Sequence, residues 1–454
     1  MKSDGVVLQF CARRTFSWLR FAGVLAPIAL LGLWTTAASA QTSPDFAGNL
    51  NPLFQANLAR PSDFNNTLQY AASASANDIE SAIGTYEQLL FYNPTLSRVR
   101  FELGVLYYRL GSYEMARGYF KSALEQQDIA PDLRQRTEDL LSDVDKQLQV
   151  DRFSGFVSTG LAYQSNPGGG PGLQAALASG RGFDSRFFAK SDENWFGAFA
   201  LNYVRDFENQ RGDTFEAGVQ GYDAQQFNLR QFDIGMLEFR AGPRFVLTPG
   251  SANAVSIKPY VIATGSLLAD TAYSAGAGGG LTLHANVGNV SLDPYAEIVQ
   301  QSFRNSSFYP LASNMSGTLS TIGLQASGPI VSGLGWQTRG AFAHSSATFS
   351  PDSYDAYVAD LWLPWNFSFP GDGRTWTLTP IVGFSNWQYN APDPAIDPNT
   401  TPRTTEWRAG VGLDVPIWSK VYMSMLVQYR ADASNIAAFA MHDFSVSGGP
   451  TFKF

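Results

Sequence analysis

Side chains that could act in acid–base or nucleophilic catalysis are few and widely spaced in this sequence. The three histidines, His284, His344 and His442, lie far apart along the chain, and no serine or acidic residue near them suggests a catalytic grouping. A hydrolase would need a nucleophile, a base and an orienting group that converge in space. The only cysteine, Cys11, lies in a segment that we expect to be removed. The sequence therefore predicts no enzyme, no metal site and no cofactor.

A glycine-rich run, Asn166–Gly172, reads Asn-Pro-Gly-Gly-Gly-Pro-Gly. A loop that cradles phosphate would lead into the first turn of a helix, whereas this run lies between two segments with strand periodicity. We therefore expect a flexible outer loop or a loop that folds inward.

Charged side chains recur at alternate positions near the C-terminus. Apolar residues such as Trp407, Val411 and Ile417 alternate there with polar ones. A period of two places the two sets on opposite faces of a strand. Charges of both signs on the polar face indicate a hydrated barrel interior or a salt-bridged plug. The candidate interior residues are Glu406, Arg408, Asp414, Gln428 and Arg430.

The composition favours a membrane barrel. Charged residues make up 15% of the chain and aromatic residues 14%, with 42 glycines and a formal charge of −8. Soluble domains carry roughly 25% charged residues. After the N-terminal leader, no segment approaches the ~20 apolar residues of a spanning helix, so outer-membrane lipid would be contacted by strands. The acidic balance argues against a nucleic-acid partner, which would require a basic face.

From Asp151 onward the hydrophobic period is two, which predicts an antiparallel transmembrane β-barrel over residues 151–454. Connections after even-numbered strands are short, whereas several after odd-numbered strands are longer, as in up-and-down membrane barrels. An even strand count also places both ends of the barrel chain on one side. The predicted strands, about fourteen, begin near residues 153, 191, 214, 233, 255, 273, 290, 314, 333, 354, 374, 403, 420 and 437.

The closing strand shows the alternation clearly. Phe444, Val446, Phe452 and Phe454 share one face, and small or polar residues share the other. An edge strand of a soluble sandwich would be the alternative. It does not account for a single apolar face repeated along the rest of the chain, so we expect this strand to close the barrel.

Residues 1–40 have the pattern of a secretory signal. A basic start precedes the apolar run Phe21–Trp34, and Ala38-Ser39-Ala40 offers a small-residue cleavage site. A membrane anchor is the alternative, but the apolar run is short for a span. We therefore expect export from the cytoplasm.

Residues 41–150 have helical periodicity and contain a repeat. Ala82 and Ala116 are 34 residues apart, as are Tyr86 and Phe120, which is the period of the tetratricopeptide repeat. Small residues allow two helix backbones to approach, and larger ones fill the space around them. The second copy resembles that family at Leu103, Gly104, Tyr107, Ala116, Phe120 and Ala123.

A third helix, Pro131–Leu148, is expected to cap the two repeats. Because about three repeats are needed to bury a continuous core, the domain should lean on the barrel or on a partner. The resemblance to tetratricopeptide repeats implies a concave groove that binds a client peptide, although Phe101 and Val105 could instead pack against the neighbouring helix. The groove residues would be Arg98, Phe101, Val105, Tyr108 and Arg109.

The combined architecture is α + β: a leader, a short helical repeat domain and a barrel of about fourteen strands. It resembles the surface lipoprotein assembly modifier family (Slam) of Gram-negative bacteria. The first strand, Phe153–Asn166, is similar to that family's glycine-rich strand ending in Tyr-x-Ser-Asn, here Tyr163 to Asn166. The helical domain is shorter than in the family.

The resemblance implies an outer-membrane protein whose helical domain lies in the periplasm and binds a client protein, with surface lipoproteins as one client class. It also implies that the barrel-assembly machinery recognises Phe452 and Phe454. Two other functions fit the architecture: a conduit for exopolysaccharide, whose exporters usually carry many more repeats, and a passive solute channel with a helical scaffold.

Overall fold

The computed structural model describes residues 64–75, 78–126, 129–172, 185–209, 211–249, 254–369 and 374–454. The predicted leader, residues 1–40, lies outside these ranges. The chain divides into two compact units with the boundary between Arg152 and Phe153, and each unit is described by itself. None of the described helices is both long and apolar enough to cross a membrane.

The first unit consists of five described helices whose ends follow local sequence signals. The Asp78 carboxylate accepts a hydrogen bond from the Ser81 N–H at 3.1 Å and caps the second helix. Gly111, with φ of +73°, ends the third, and Pro131 opens the fifth. The helices are α1 (Phe64–Ala74), α2 (Ile79–Tyr92), α3 (Ser97–Arg109), α4 (Tyr113–Leu124) and α5 (Pro131–Gln147).

Helices α3 and α4 pack at the residues that the resemblance to the tetratricopeptide repeat singled out. Leu103, Gly104, Ala116, Phe120 and Ala123 are all buried. The Phe120 ring lies directly against Gly104. The sixth predicted packing residue, Tyr107, is half-buried, and its ring stacks on Tyr119 at 5.4 Å.

The second unit is one continuous antiparallel sheet of fifteen strand segments. The segments are β1 (Asp151–Gln164), β2 (Asp192–Asp206), β3 (Thr214–Gln226), β4 (Ile234–Val246), β5 (Val255–Leu268), β6 (Thr271–Val287), β7 (Val290–Phe303), β8 (Gly317–Val331), β9 (Leu334–Ala347), β10 (Tyr354–Trp362), β11 (Trp365–Ser368), β12 (Thr375–Tyr389), β13 (Arg403–Trp418), β14 (Val421–Ser434) and β15 (Met441–Lys453).

The sheet closes on itself, because β1 pairs with β15. Segments β10 and β11 both lie between β9 and β12 and are two parts of one strand, interrupted at Leu363-Pro364. The wall therefore has fourteen strands, which confirms the predicted fold class. The interruption was not predicted. It follows from Pro364, which cannot donate a hydrogen bond to a neighbouring strand.

The predicted strand starts agree closely with the observed ones, and the largest difference lies at the closing strand. It begins at Met441 instead of Ala437, because Ala437–Phe439 form a turn of 3-10 helix. We call "turn side" the barrel end that carries the short connections β2–β3, β4–β5, β6–β7, β8–β9, β11–β12 and β13–β14 and both ends of the barrel chain. The opposite end is the "loop side".

Candidate functional site

The two faces of the barrel wall differ in chemistry. On β1, Val157 and Leu161 are 52% and 61% exposed, whereas Ser158, which lies between them, is buried. The same alternation continues on β13 and β14, where Trp407, Val411 and Val427 are exposed. An apolar outer face and a polar inner face are the properties of a barrel surrounded by lipid.

One group of inner charges lies on β3–β5 near the turn side. The Glu216 carboxylate pairs with the Arg244 guanidinium and accepts a hydrogen bond from Lys258 Nζ at 2.9 Å. Arg244 Nη1 also donates to Ser256 Oγ at 3.0 Å. One carboxylate between two cations leaves this group with a net positive charge.

A second group has the opposite balance. Arg240 donates to Glu238 at 2.8 Å and to Glu297 at 2.6 Å, and the Tyr260 hydroxyl donates to Glu297 at 2.6 Å. The Arg240 side chain remains 40% exposed. Two carboxylates around one guanidinium give this group a net negative charge. The exposed part of Arg240 makes the group accessible to water.

A third group, on β9, β10, β13 and β14, is a buried ion network. Asp360 accepts from Arg339 at 2.5 Å and from Arg408 at 2.8 Å. Glu406 joins Arg408 to Arg430 at 3.2 and 2.5 Å. Three carboxylates balance three guanidinium groups, with Arg430 only 2% exposed. The network consists of Arg339, Asp360, Glu406, Arg408, Arg430 and Asp432.

All five predicted interior residues face inward, and three of them belong to the buried ion network. Glu406, Arg408 and Arg430 form the buried network, which corresponds to the salt-bridged alternative. Asp414 lies apart from it and binds Lys453 Nζ at 2.9 Å. Gln428 lies on the same face of β14 as Arg430, and on the neighbouring strand β13 it is opposite Gly410.

Sequence reasoning missed Arg339, Asp360 and Asp432, which complete the network, and Arg240, which carries the accessible charge. All four occupy the inner face of their strands, so the period-two pattern held the necessary signal. The pairing between strands did not follow from that pattern, because a residue's face does not specify which residue lies opposite on the next strand.

The loop side holds an apolar cluster built from three loops and the ends of β5–β7. The Phe187 ring lies 5.8 Å from Phe232 and 6.1 Å from Tyr309. The Tyr309 hydroxyl donates to the Gln231 carbonyl at 2.8 Å and joins two loops. We call this set the loop-side cluster; its members are Phe187, Phe232, Leu268, Tyr273, Phe303, Tyr309, Ala312 and Met315.

The glycine-rich run packs beside this cluster. Residues 168–171 are buried, and a Cβ atom at Gly168 would overlap the Phe232 ring. Asp443 Oδ1 accepts from the Asn166 N–H at 2.8 Å and from Ser165 Oγ at 3.0 Å. The start of this loop is therefore fixed to β15 and folds inward.

Asp233 lies next to the loop-side cluster and is 1% exposed. Its Oδ1 accepts from the Gln226 N–H at 2.6 Å, and Arg230 Nη1 lies 3.6 Å from Oδ2. Burial raises the pKa of the Asp233 carboxyl, and the nearby Asp270 carboxylate adds to this effect.

In the helical unit, α5 covers part of the predicted groove. Phe101 is 4% exposed and packs in a cluster with Ala116, Phe120 and Val144. Val105 and Tyr108 pack against the same cluster. Phe101 and Val105 therefore pack against neighbouring side chains, which was the alternative to groove binding, because α5 turns its apolar side toward α3.

Two arginines of the predicted groove have different surroundings. Arg109 Nη1 donates to the Ser75 carbonyl at 2.7 Å, which ties α3 to the end of α1. Arg98 is exposed near Glu102. Burial raises the pKa of the Glu102 carboxyl, while Arg98 and Arg136 oppose this effect. Arg98 and Arg109 are thus both exposed, and Arg109 is held at the end of α1 by its hydrogen bond.

The histidines have carboxylate neighbours in two cases. His284 Nδ1 lies 2.8 Å from Asp293 inside the barrel, and His344 Nδ1 lies 2.7 Å from Asp355 on the outer face. Within the described residues, no group of three or more His, Cys, Asp or Glu side chains could hold a metal ion.

Comparison with known proteins adds little to this geometry. No protein-family model matches the chain, and no curated protein matches it. Among solved structures, an anion-selective porin from Comamonas acidovorans is 10% identical, with 67% of this chain and 99% of that chain covered and a TM-score of 0.32. The outer membrane channel DcaP of Acinetobacter baumannii is 8% identical, with 67% and 97% covered and a TM-score of 0.34.

CdiB from Escherichia coli is 12% identical, with 66% of this chain and 63% of that chain covered and a TM-score of 0.36. Because these TM-scores lie below 0.5, we base the function on the geometry of the chain itself.

Proposed function

We propose that this protein is an outer-membrane conduit that helps a client protein reach the cell surface. A helical repeat unit leads directly into the first strand of a closed barrel, since α5 ends at Gln147 and β1 begins at Asp151. This connection carries the proposal, because it attaches a protein-binding type of domain to a wall that can cross a membrane.

The barrel supports an outer-membrane location. Its outer face is apolar around the wall, and its inner face carries paired charges. An even number of strands puts both ends of the barrel chain on the turn side, together with short connections. In this proposal the turn side and the helical unit face the periplasm, and the long loops face outward.

The helical unit supports client binding through the exposed part of α3. Phe101 is occupied by packing, so recognition rests on Arg98 and on the exposed surface around it. In this proposal the client presents an acidic or polar segment to Arg98, and surface lipoproteins are the client class that the resemblance to Slam suggests.

The test compares surface proteomes of cells that carry the intact protein, no protein, or a single charge reversal. Arg98→Glu should lower the surface level of the client as strongly as deletion of the gene, with the barrel still assembled. Lys121→Glu is the matched control, because Lys121 is an exposed cation of α4 outside the groove. It should leave client levels unchanged.

Two outcomes would favour other functions. If deletion lowers secreted polysaccharide while no surface protein changes, the barrel exports polysaccharide. If the purified barrel conducts small solutes equally well with and without residues 41–150, and no surface protein depends on it, the protein is a passive channel with a helical scaffold.

A further inference from the structure

Prolines within the described strands are confined to one end of the barrel. Each lies within five residues of the turn-side end of its strand, and none lies in the loop-side half. Proline has no N–H and is usually excluded from the interior of a sheet. These residues are Pro243, Pro259, Pro294, Pro329, Pro380, Pro416 and Pro450.

The clearest effect is on the β4–β5 pair. Pairing runs to Ala241 opposite Val261 and resumes at Phe245 opposite Ile257. Pro243 and Pro259 face each other in between. The Leu247 N–H donates to the Val255 carbonyl at 2.7 Å, and every second residue from there directs its backbone at the partner strand. Both prolines are at such positions, so two donors are missing at one point.

The seam between β1 and β15 has a similar break. Pairing stops at Ser158 opposite Thr451 and resumes at Leu161 opposite Gly448. Gly155 and Phe454 exchange two backbone hydrogen bonds of 3.0 Å. By the same alternation, a residue at position 450 should donate its backbone N–H to β1. Pro450 has no N–H and cannot do so.

A third break lies between β6 and β7. Pairing stops at Thr282 opposite Tyr295 and resumes at Ala285 opposite Leu292, with Pro294 in the gap. The interruption at Leu363-Pro364 adds a fourth break, near the turn-side end of β12. The breaks therefore recur around the wall at a similar distance from the turn side.

We propose that this turn-side section, the "proline collar", is a compliant part of the wall. Its strands part locally while the loop-side section stays paired, so the mouth can admit a polypeptide segment wider than the resting interior. The reason is the loss of ladder pairs at four places: the collar contains the gaps of the β4–β5 pair, the β1–β15 seam, the β6–β7 pair and the strand interrupted at Leu363-Pro364. Water at the membrane surface can satisfy the carbonyl groups that lose a partner.

The inference deepens the proposed function, since the collar lies at the end where the client would enter. The alternative is a rigid collar, in which the prolines and glycines only produce a fixed bend in the wall. A rigid collar would keep its remaining amides protected from exchange, and a compliant one would not.

Hydrogen–deuterium exchange of the full chain in lipid nanodiscs separates the two readings and needs no client. Amides of residues 241–245 and 257–261 should exchange at least tenfold faster than those of residues 234–238 and 264–268, which are loop-side segments of the same strands. Equal protection of both sets would overturn the compliant collar, whatever the outcome of the surface-proteome test.

Restoring a donor gives a second test. Pro450→Ala supplies an N–H opposite Thr159 and should slow exchange in residues 156–161 several-fold. Pro243→Ala should do the same for residues 257–261, and it keeps the test valid if one variant fails to assemble. Pro398→Ala, in an exposed loop, is the control and should change neither region. Unchanged exchange in both assembled collar variants would overturn the inference.

Discussion

At the residue scale, Asp233 shows how one buried carboxyl can control a surface loop. Its Oδ1 accepts the Gln226 N–H, while Oδ2 lies 3.6 Å from Arg230 and near the like charge of Asp270. Because burial raises the pKa of this carboxyl in the folded protein, the folded loop binds more protons than the unfolded loop between the ordinary value and the raised one. Its stability is therefore highest at low pH and falls as pH rises through that window.

We predict that Asp233→Asn removes this pH dependence. The amide oxygen can still accept the Gln226 N–H, and the buried charge is gone. Exchange of amides 226–232, corrected for intrinsic chemistry, should increase from pH 4 to pH 7 in the natural protein and stay flat in the variant. Asp397→Asn, in another loop, should retain the natural profile; a pH-dependent Asp233→Asn would contradict the assignment.

At the element scale, the sequence predicted the periodic positions within each helix and strand. It did not predict which elements contact one another. The 34-residue spacing identified Ala116 and Phe120, and the resemblance to the tetratricopeptide repeat added Gly104 as the small residue that a close helix pair needs opposite a large one. The burial of Phe101 by α5 was left open, since several neighbours could have covered that ring. The strands followed from alternation in the same way, whereas the Asp360 network depends on which strand segments face each other.

The loop-side cluster lay beyond such reasoning altogether. Phe187, Phe232 and Tyr309 come from three loops with no common period, and each reads alone as an ordinary aromatic residue. Pro364 was a usable signal for the interruption of the tenth strand, because a proline within a strand pattern argues against continuous pairing.

We predict that Gly104→Ala destabilises the helical unit by about 1–3 kcal/mol, the usual cost of overpacking a core. A Cβ atom there would lie 2.5 Å from two atoms of the Phe120 ring. Loss of far-UV helical signal on denaturation of the full chain measures the effect. Gly118→Ala on α4 meets nothing within 4 Å and should stabilise by about 0.5–1 kcal/mol; similar losses in both would refute the packing argument.

At the scale of the whole molecule, the pairing of β1 with β15 closes the wall. Phe454 contributes a backbone pair with Gly155, and its ring stacks on Phe452 at 5.7 Å. The side chain itself is 39% exposed. Its removal should therefore cost the finished barrel little, and its larger role would lie in assembly.

We predict that Phe454→Ala lowers the amount of assembled barrel several-fold while the assembled fraction keeps its unfolding temperature. Heat-modified migration on gels measures both quantities. Phe444→Ala removes a similarly exposed ring, 42%, from the same face of β15 and should assemble normally. Normal assembly of Phe454→Ala, or an equal defect in both variants, would show that the terminal ring has no special role.

The hydrogen bonds between Gly155 and Phe454 also set an order in time. They join β1 to the residue that follows β15, some 300 residues later in the sequence, so the ring cannot close until Phe454 has been synthesised and exported. Contacts between such distant residues form slowly, and until then two strand edges stay open to other chains. A chain that loses β15 would not form a smaller ring; it would keep both edges open. Delivery to the membrane must therefore be faster than aggregation of the unclosed chain.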